Sequence, residues 1–481
     1  MGGRSRAAIE DRRTHHLHCG KRRRREFIVS DTPVQPGELV TLRLDSLAAG
    51  GEAVGRHQGM AVFVMSGCPG DEAEVQITEV ARRFARGVVR RVITPSPDRT
   101  APQCPHFGEC GGCQLQHISY AAQLSHKTAM VRDALSRIAS LPDVEVGETW
   151  GMQEPWHYRG RADYHAEVSD SGELAIGFAR HRSRQIVPLS ECDVQHPLSE
   201  RIRQALTKLM GRVAQSPSER AGLLGVETLI SFASGRGLVT LVCDGRPAFL
   251  RSAAEALMEQ VDGVAGVLSA RRRGRNSPHR SPSEPIVGEA EVVEALNGRG
   301  YRVSADSFFQ SNPGQAARMV SLVQEWAQVG KGEVVYDLYS GVGTFLLPLA
   351  ATAGLALGVE AQTSSVADAK ANLRRWKLRN VRLYERNVER LLPRLVQRGK
   401  KADVIVLDPP RKGCGPVVCI SVARLEPRRI VLVSCDPATL ARDLKTLAEH
   451  GYRAQRVQPI DMFPQTWHVE CVALCERAQP L

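Results

Sequence analysis

Aromatic side chains are scarce in this chain: Trp, Tyr and Phe make up 5% of its 481 residues. That argues against a broad stacking platform. Long apolar runs are also missing. The most apolar stretch, 345–359, is interrupted by Pro348 and Gly354, and it reads as a helix followed by a buried strand rather than a membrane span. No apolar segment follows the N-terminal charges, so a secretory leader is not expected. The chain shows no internal repeat. Twelve unevenly spaced cysteines do not read as a disulfide scaffold in a chain this long. They point to a reducing cytoplasm, with metal or catalytic use of the thiols.

What the chain does have is positive charge and enough apolar residues for real cores. Hydrophobic residues make up 42%, and the net charge is +12. A basic balance favours a polyanionic partner, nucleic acid first. Residues 1–30 hold nine Lys/Arg against three Asp/Glu, a net of +6, including Lys21-Arg22-Arg23-Arg24-Arg25. Such an arm reads equally as a solubilising tail or as an RNA anchor. Further basic stretches are Arg82, Arg83, Arg86, Arg90 and Arg91, and Arg271-Arg272-Arg273-Gly274-Arg275.

At roughly 100–200 residues per domain, two to four domains are expected. Residues 1–31 read as a flexible arm. Short alternating runs with glycine turns over 32–92 predict a small β-barrel. The region 93–305 is mixed α+β: it opens on a cysteine cluster, continues into a helix over 120–138, and contains a polar, proline-interrupted exposed loop over 271–285. From 306, and most clearly from Glu333, strand, turn and helix alternate to the end. That rhythm predicts a doubly wound parallel α/β sheet, with ligands beyond the carboxyl ends of its strands.

Four motifs fall at that edge. Asp337-Leu338-Tyr339-Ser340-Gly341-Val342-Gly343 follows a strand and opens a helix, and Glu360 ends the next strand, where a carboxylate can hold ribose hydroxyls. The motif has no Walker lysine, which disfavours ATP and suits S-adenosylmethionine. Asp408-Pro409-Pro410-Arg411-Lys412-Gly413 is a rigid loop at a strand end. Cys435 ends a strand just before Asp436 and Pro437, a strong helix start, so the helix dipole is expected to favour its thiolate. Glu470 begins the final strand; it is a candidate base, with His468 as a rival. Alone, each has a plain structural reading: a tight turn, a strand end, a buried thiol, a strand-start Glu. Upstream, Cys104, Cys110 and Cys113, with Cys192 far downstream, suit an iron–sulfur cluster or a four-Cys zinc site, and His106 is a competing ligand. Cys68, Cys243, Cys414, Cys419, Cys471 and Cys475 read as core.

Together these motifs resemble the RNA uracil-5 methyltransferase family, specifically the bacterial 23S rRNA 5-methyluridine enzymes. The resemblance runs over about 32–475. It is carried by CPHFGECGGCQLQ (104–116), SFFQSN (307–312), the Asp408–Gly413 loop, and the segments 434–443 and 461–470. It implies a class I, Rossmann-like methyltransferase domain over 306–481. It also implies a TRAM (OB-like) RNA-binding barrel over 32–92, with the fingerprints GGEAVGRHQGMAVFV and PGDEAEV, and a central domain over 93–305 carrying the four-Cys cluster. Cys104, Cys110, Cys113 and Cys192 match the ligands of a 4Fe-4S cluster. Gln310, Tyr339, Glu360, Asn387 and Asp408 match S-adenosylmethionine contacts, and Thr344 stands where some members have a contacting Asn. Cys435 matches the nucleophile and Glu470 the general base. Ser340 departs from the family's frequent Cys. The implied partner is RNA, rRNA before tRNA, and the implied protein is a cytoplasmic monomer without membrane attachment. Two other readings are a non-catalytic RNA-binding ribosome-assembly factor and an amino-group methyltransferase. Intact Cys435, Glu470 and Asp408 argue against the first. Arg411, where an aromatic would hold the amine, argues against the second.

Overall fold

A computed structural model of the chain describes residues 32–478, apart from 215, 273, 275, 276 and 278. The basic arm lies outside the described residues.

Strands Leu39–Leu47, Ala53–His57, Met60–Met65, Glu72–Val80 and Phe84–Thr94 form a closed barrel. Alternate residues such as Val40, Leu42 and Leu44, or Ala73, Val75 and Ile77, point inward and fill it. Arg86 spans the wall: it pairs with Glu52 and covers the rings of Phe63 and Phe84.

The middle of the chain builds a seven-stranded sheet between residues 161 and 288. Helices Pro197–Val213 and Leu250–Gln260 share its core. The loop expected over 271–285 is only partly free. Arg280 donates to Glu227 Oε1 and Oε2 (2.8 and 2.7 Å) and to Asp306 Oδ1 (2.9 Å), and strand Glu284–Gly288 follows. A charge with two carboxylate partners was not visible in a segment rich in Pro and Ser.

The third layer is an eight-stranded sheet. Five parallel strands lie in the order Val381–Glu385, Leu355–Glu360, Val334–Leu338, Val404–Leu407, Arg429–Ser434. The order reverses between Val334–Leu338 and Val404–Leu407, the topological switch point where such sheets open a crevice. The expectation of an all-parallel sheet fails beyond Arg429–Ser434. Strand Glu470–Arg477 runs antiparallel to it, and Tyr452–Ile460 runs antiparallel in turn. The strands flanking this reversal are buried on both faces, so their apolar pattern carries no sign of direction. The short strand Glu145–Val146 adds the far edge. The helix Tyr120–Ala134, which ends in a π-helical turn at Leu135–Ala139, has the latter in the same core as helix Pro437–Glu449. The segment 120–146 therefore belongs spatially with this layer.

Candidate active site

The reversed last strand decides the geometry. In register, Ser434 lies opposite Cys471. The residue after Ser434 and the residue before Cys471 therefore meet at the carboxyl edge of the parallel strands, and these are Cys435 and Glu470. Asp408 leaves the neighbouring strand at the same edge, where its N–H is bonded to Leu338 O (3.2 Å). Gln310 Nε2 donates to Asp408 Oδ2 at 3.4 Å.

Two buried acids, Asp337 and Glu470, and the half-buried Asp408 gather here, and among the described residues none of the three forms a close ion pair. Burial, then the charges of Asp408 and Glu360, pushes the Asp337 carboxyl far up, with only the Leu346 amide pulling weakly down. Neither of its oxygens meets hydrogen-bond geometry with a protein donor. Burial pushes Asp408 up to about 7. Burial and Asp408 push Glu470 well above the carboxylate range, partly opposed by Arg411. The Cys435 thiol is pushed up to about 12 by burial, then by Glu470, with Arg411 lowering it and Asp408 raising it. This reverses the expected dipole-favoured thiolate. The Asp436 carboxylate already caps the helix, accepting from Thr439 N at 2.8 Å, and burial first, then the Glu470 charge, raises the thiol against what remains of the dipole.

His468 is held near 4 by burial and by the charges of Arg411, Lys127 and Arg159. It is neutral and a weak base at ordinary pH. Glu470, with its raised affinity for a proton, is the stronger base of the two.

The glycine turn is built for close approach. Tyr339, Gly341 and Gly343 all have positive φ (67, 54 and 96°), and a side chain at Gly343 would come within 1.9 Å of Leu347 Cδ1. Glu360 gathers three amides: Oε2 accepts from Gly341 N (2.9 Å), and Oε1 from Ala361 N and Gln362 N (2.7 Å each). Tyr339 OH donates to Glu389 Oε1 (3.3 Å). Thr344 is half-buried at the start of the following turn. Asn387 is exposed and lines a groove of about 420 Å³ with Ala361, Glu385 and Arg390. Sequence reasoning placed Gln310, Tyr339, Glu360 and Asp408 at one edge; Thr344 and Asn387 stand farther along the same rim. It gave no role to Asp337, although that residue opens the glycine motif, nor to Arg411.

Two of the cysteines read as core have a more specific setting. Asp443, on the helix that starts after Cys435, accepts from Cys414 N (2.8 Å) and Gly415 N (3.0 Å), and Cys419 Sγ lies 3.8 Å from it. This clasp ties the end of the Asp408–Gly413 loop to the helix behind Cys435.

All eleven described cysteines are free. Cys104, Cys110, Cys113 and Cys192 converge closely enough that the charge of one raises the next, and burial is the largest cause at each. Cys113 and Cys192 reach about 12. Backbone N–H groups of Gly112, His106, Phe107, Val194 and Gln195 point at their sulfurs. His106 is otherwise engaged, since its Nε2 accepts from Ser190 N at 2.9 Å.

Comparison with known proteins agrees with this arrangement. Residues 119–478 match the model of the tRNA (uracil-5-)-methyltransferase family, and residues 33–89 match that of the TRAM domain. An uncharacterized RNA methyltransferase of Clostridium tetani is 34% identical over 92% of this chain and 97% of its own length. One from Caldanaerobacter subterraneus is 36% identical over 92% and 99%. Among solved structures, the Pyrococcus abyssi tRNA (uracil-54, C5)-methyltransferase in complex with S-adenosyl-L-homocysteine superposes with a TM-score of 0.71. It is 25% identical and covers 90% of this chain and 99% of that one. Among the described residues no helix is long and apolar enough to cross a membrane.

Proposed function

The chain belongs to the tRNA (uracil-5-)-methyltransferase family and is an S-adenosylmethionine-dependent RNA methyltransferase, and from that premise we propose that it methylates C5 of a uridine in 23S rRNA through a covalent adduct at Cys435. The observation that carries this is the meeting of Cys435 with Glu470, beside Asp408 and the buried, unbonded Asp337 carboxyl.

Uracil C5 is a poor nucleophile until a thiolate adds at C6. In the proposed sequence Cys435 gives its thiol proton to solvent and Glu470 stands ionised beside Arg411; the Cys435 sulfur then bonds to C6 of the extruded base, and the C5–C6 double-bond electrons move toward C5. Bound S-adenosylmethionine supplies an electrophilic methyl on a sulfonium. Once C5 is alkylated, Glu470 takes the C5 proton, the C5–C6 double bond re-forms and Cys435 leaves as thiolate. Arg411, which favours the charged form of both Cys435 and Glu470, assists each ionisation.

The residues fit the cofactor. Its sulfonium and ammonium are cations, and the orphaned Asp337 carboxyl and the half-titrated Asp408 are complementary to them. In this reading Gln310, Tyr339, Thr344, Glu360, Asn387 and Asp408 hold it, with Glu360 at the ribose and Asn387 at the groove by the adenine. The four cysteines fit a 4Fe-4S cluster. Among the described residues only Cys414, Cys419 and Asp443 bring three ligand atoms within 4.8 Å of one another. No three of the Cys104, Cys110, Cys113 and Cys192 sulfurs stand that close, whereas a four-thiolate zinc site has sulfurs about 3.8 Å apart. Backbone N–H groups aimed at sulfur also suit a cluster. Iron content after anaerobic purification tests this: absence of iron contradicts it.

rRNA is preferred because the barrel and the four-Cys set accompany the methyltransferase domain; a reducing cytoplasm is the proposed place of action. The alternative of a tRNA uridine is favoured by the Pyrococcus neighbour. RNA carrying 5-fluorouridine tests the chemistry, because C5 then holds no removable proton. A stable protein–RNA adduct is expected with cofactor, and none with Cys435→Ala. No adduct with any cellular RNA would contradict the reading. Mapping 5-methyluridine in rRNA and tRNA from a deletion strain separates the two substrates.

A further inference from the structure

The loop 461–469 leads directly into Glu470; Asn312 and Gln315 hold its start, donating to Met462 O (3.2 Å) and Asp461 O (3.1 Å), and its middle is held by residues that follow the first three cysteines. Gln465 is buried, yet it adopts φ +69°, a strained conformation for a non-glycine residue that persists only where its surroundings hold it. The surroundings are specific. Gln465 O accepts from Gln114 N and Leu115 N, both at 3.0 Å. Gln465 N donates to Gln123 Oε1 (3.2 Å), and Gln123 Nε2 donates back to Gln465 Oε1 (3.0 Å). The same Nε2 also reaches Leu115 O and Ile118 O (3.0 and 2.9 Å). Gln114 follows Cys113 immediately. Gln116 closes the circuit to the cysteines: its Oε1 accepts from Cys104 N at 3.0 Å, and its side chain bonds the Cys113 sulfur. Farther along the loop, Tyr158 OH donates to Pro464 O (2.9 Å).

We propose that Gln123 is a positioning residue for the reaction: its reciprocal amide pair with Gln465, together with the Gln114 and Leu115 amides, clamps the 461–469 loop so that Glu470 faces Cys435, and thereby fastens the catalytic base to the four-cysteine segment. This rests on the reading of Glu470 as the base. Nothing else about the clamp depends on the chemistry. The strained backbone is the signature of a conformation held for placement.

That strain supplies the test. Gln465→Gly relaxes the positive φ and removes the side-chain amide, so the full-length variant should melt no lower than wild type. Its kcat should nevertheless fall about tenfold or more, with KM for RNA unchanged. Peptides covering 461–469 should exchange amide hydrogens faster. Gln123→Met should show the same loss of kcat and the same faster exchange. In both variants iodoacetamide should alkylate Cys435 faster at a given pH, about tenfold for each unit by which its pKa drops when Glu470 withdraws. Cys104→Ser should loosen the same peptides from the other end. A Gln465→Gly protein with wild-type kcat and exchange would overturn the proposal. Unaltered exchange at 461–469 in Cys104→Ser would overturn the link to the cysteines. Lack of 5-methyluridine formation by wild type would instead sink the function, and lack of iron would sink the cluster, with the exchange results unaffected by either.

Discussion

Two sets of buried charge lie close together in this protein, and they are built on opposite principles. Lys127 and Asp461 are both fully buried and form a 2.6 Å ion pair; Tyr120 OH donates to the second Asp461 oxygen at 2.9 Å. Burial lowers the Lys127 pKa, and Asp461 offsets part of that. At the neighbouring strand ends, Asp337, Asp408 and Glu470 form no close ion pair among the described residues, and Arg411 only partly offsets the burial of Glu470; burial drives all three upward. A charge with its counterion in place holds structure together. Acids whose proton affinity burial raises, with no close ion pair to lower it again, favour a cation that arrives from outside.

The sharpest way to break the second set is to remove its nucleophile. Cys435→Ala should cost of order 10⁴-fold or more in turnover, read as 5-methyluridine formed in single-turnover assays, while leaving the melting temperature near wild type. The first set should respond in stability. Lys127→Met strands a buried carboxylate and should cost about 3–5 kcal/mol in urea unfolding, and adding Asp461→Leu should recover most of that. Asp337→Asn replaces an acid that burial already keeps neutral. Unfolding free energy should stay within about 0.5 kcal/mol of wild type, whereas S-adenosylmethionine affinity by calorimetry should fall about tenfold, or about 1.4 kcal/mol. The smallest effect is the pH dependence. Asp408 keeps its proton below about 7 and loses it above, and a cationic ligand prefers the ionised form. Affinity should therefore rise between pH 6 and 8, by no more than about tenfold per unit, and Asp408→Asn should flatten the profile.

Much of this could be read from residues alone. The strand–turn–helix rhythm after Glu333, the Pro-Pro stop after Asp408 and the Asp436-Pro437 helix start each rest on a local rule, and each stands where expected. What escaped depends on distant partners. Lys127 and Asp461 are 334 residues apart, so nothing near Lys127 announces a buried charge. The reversed Glu470–Arg477 strand has the same apolar pattern in either direction. The Cys435 thiol departs from expectation because the helix dipole is a local signal, whereas its burial, and after it the charges of Glu470 and Asp408, come from other parts of the chain.

Proton release on cofactor binding tests the cation receptor most directly. Titrating S-adenosylmethionine into the protein at pH 6, in buffers of differing ionisation enthalpy, should show close to one proton released by wild type and fewer by Asp408→Asn. Binding with no proton release in any buffer would mean that these acids are already ionised or do not face the ligand, and would contradict the account.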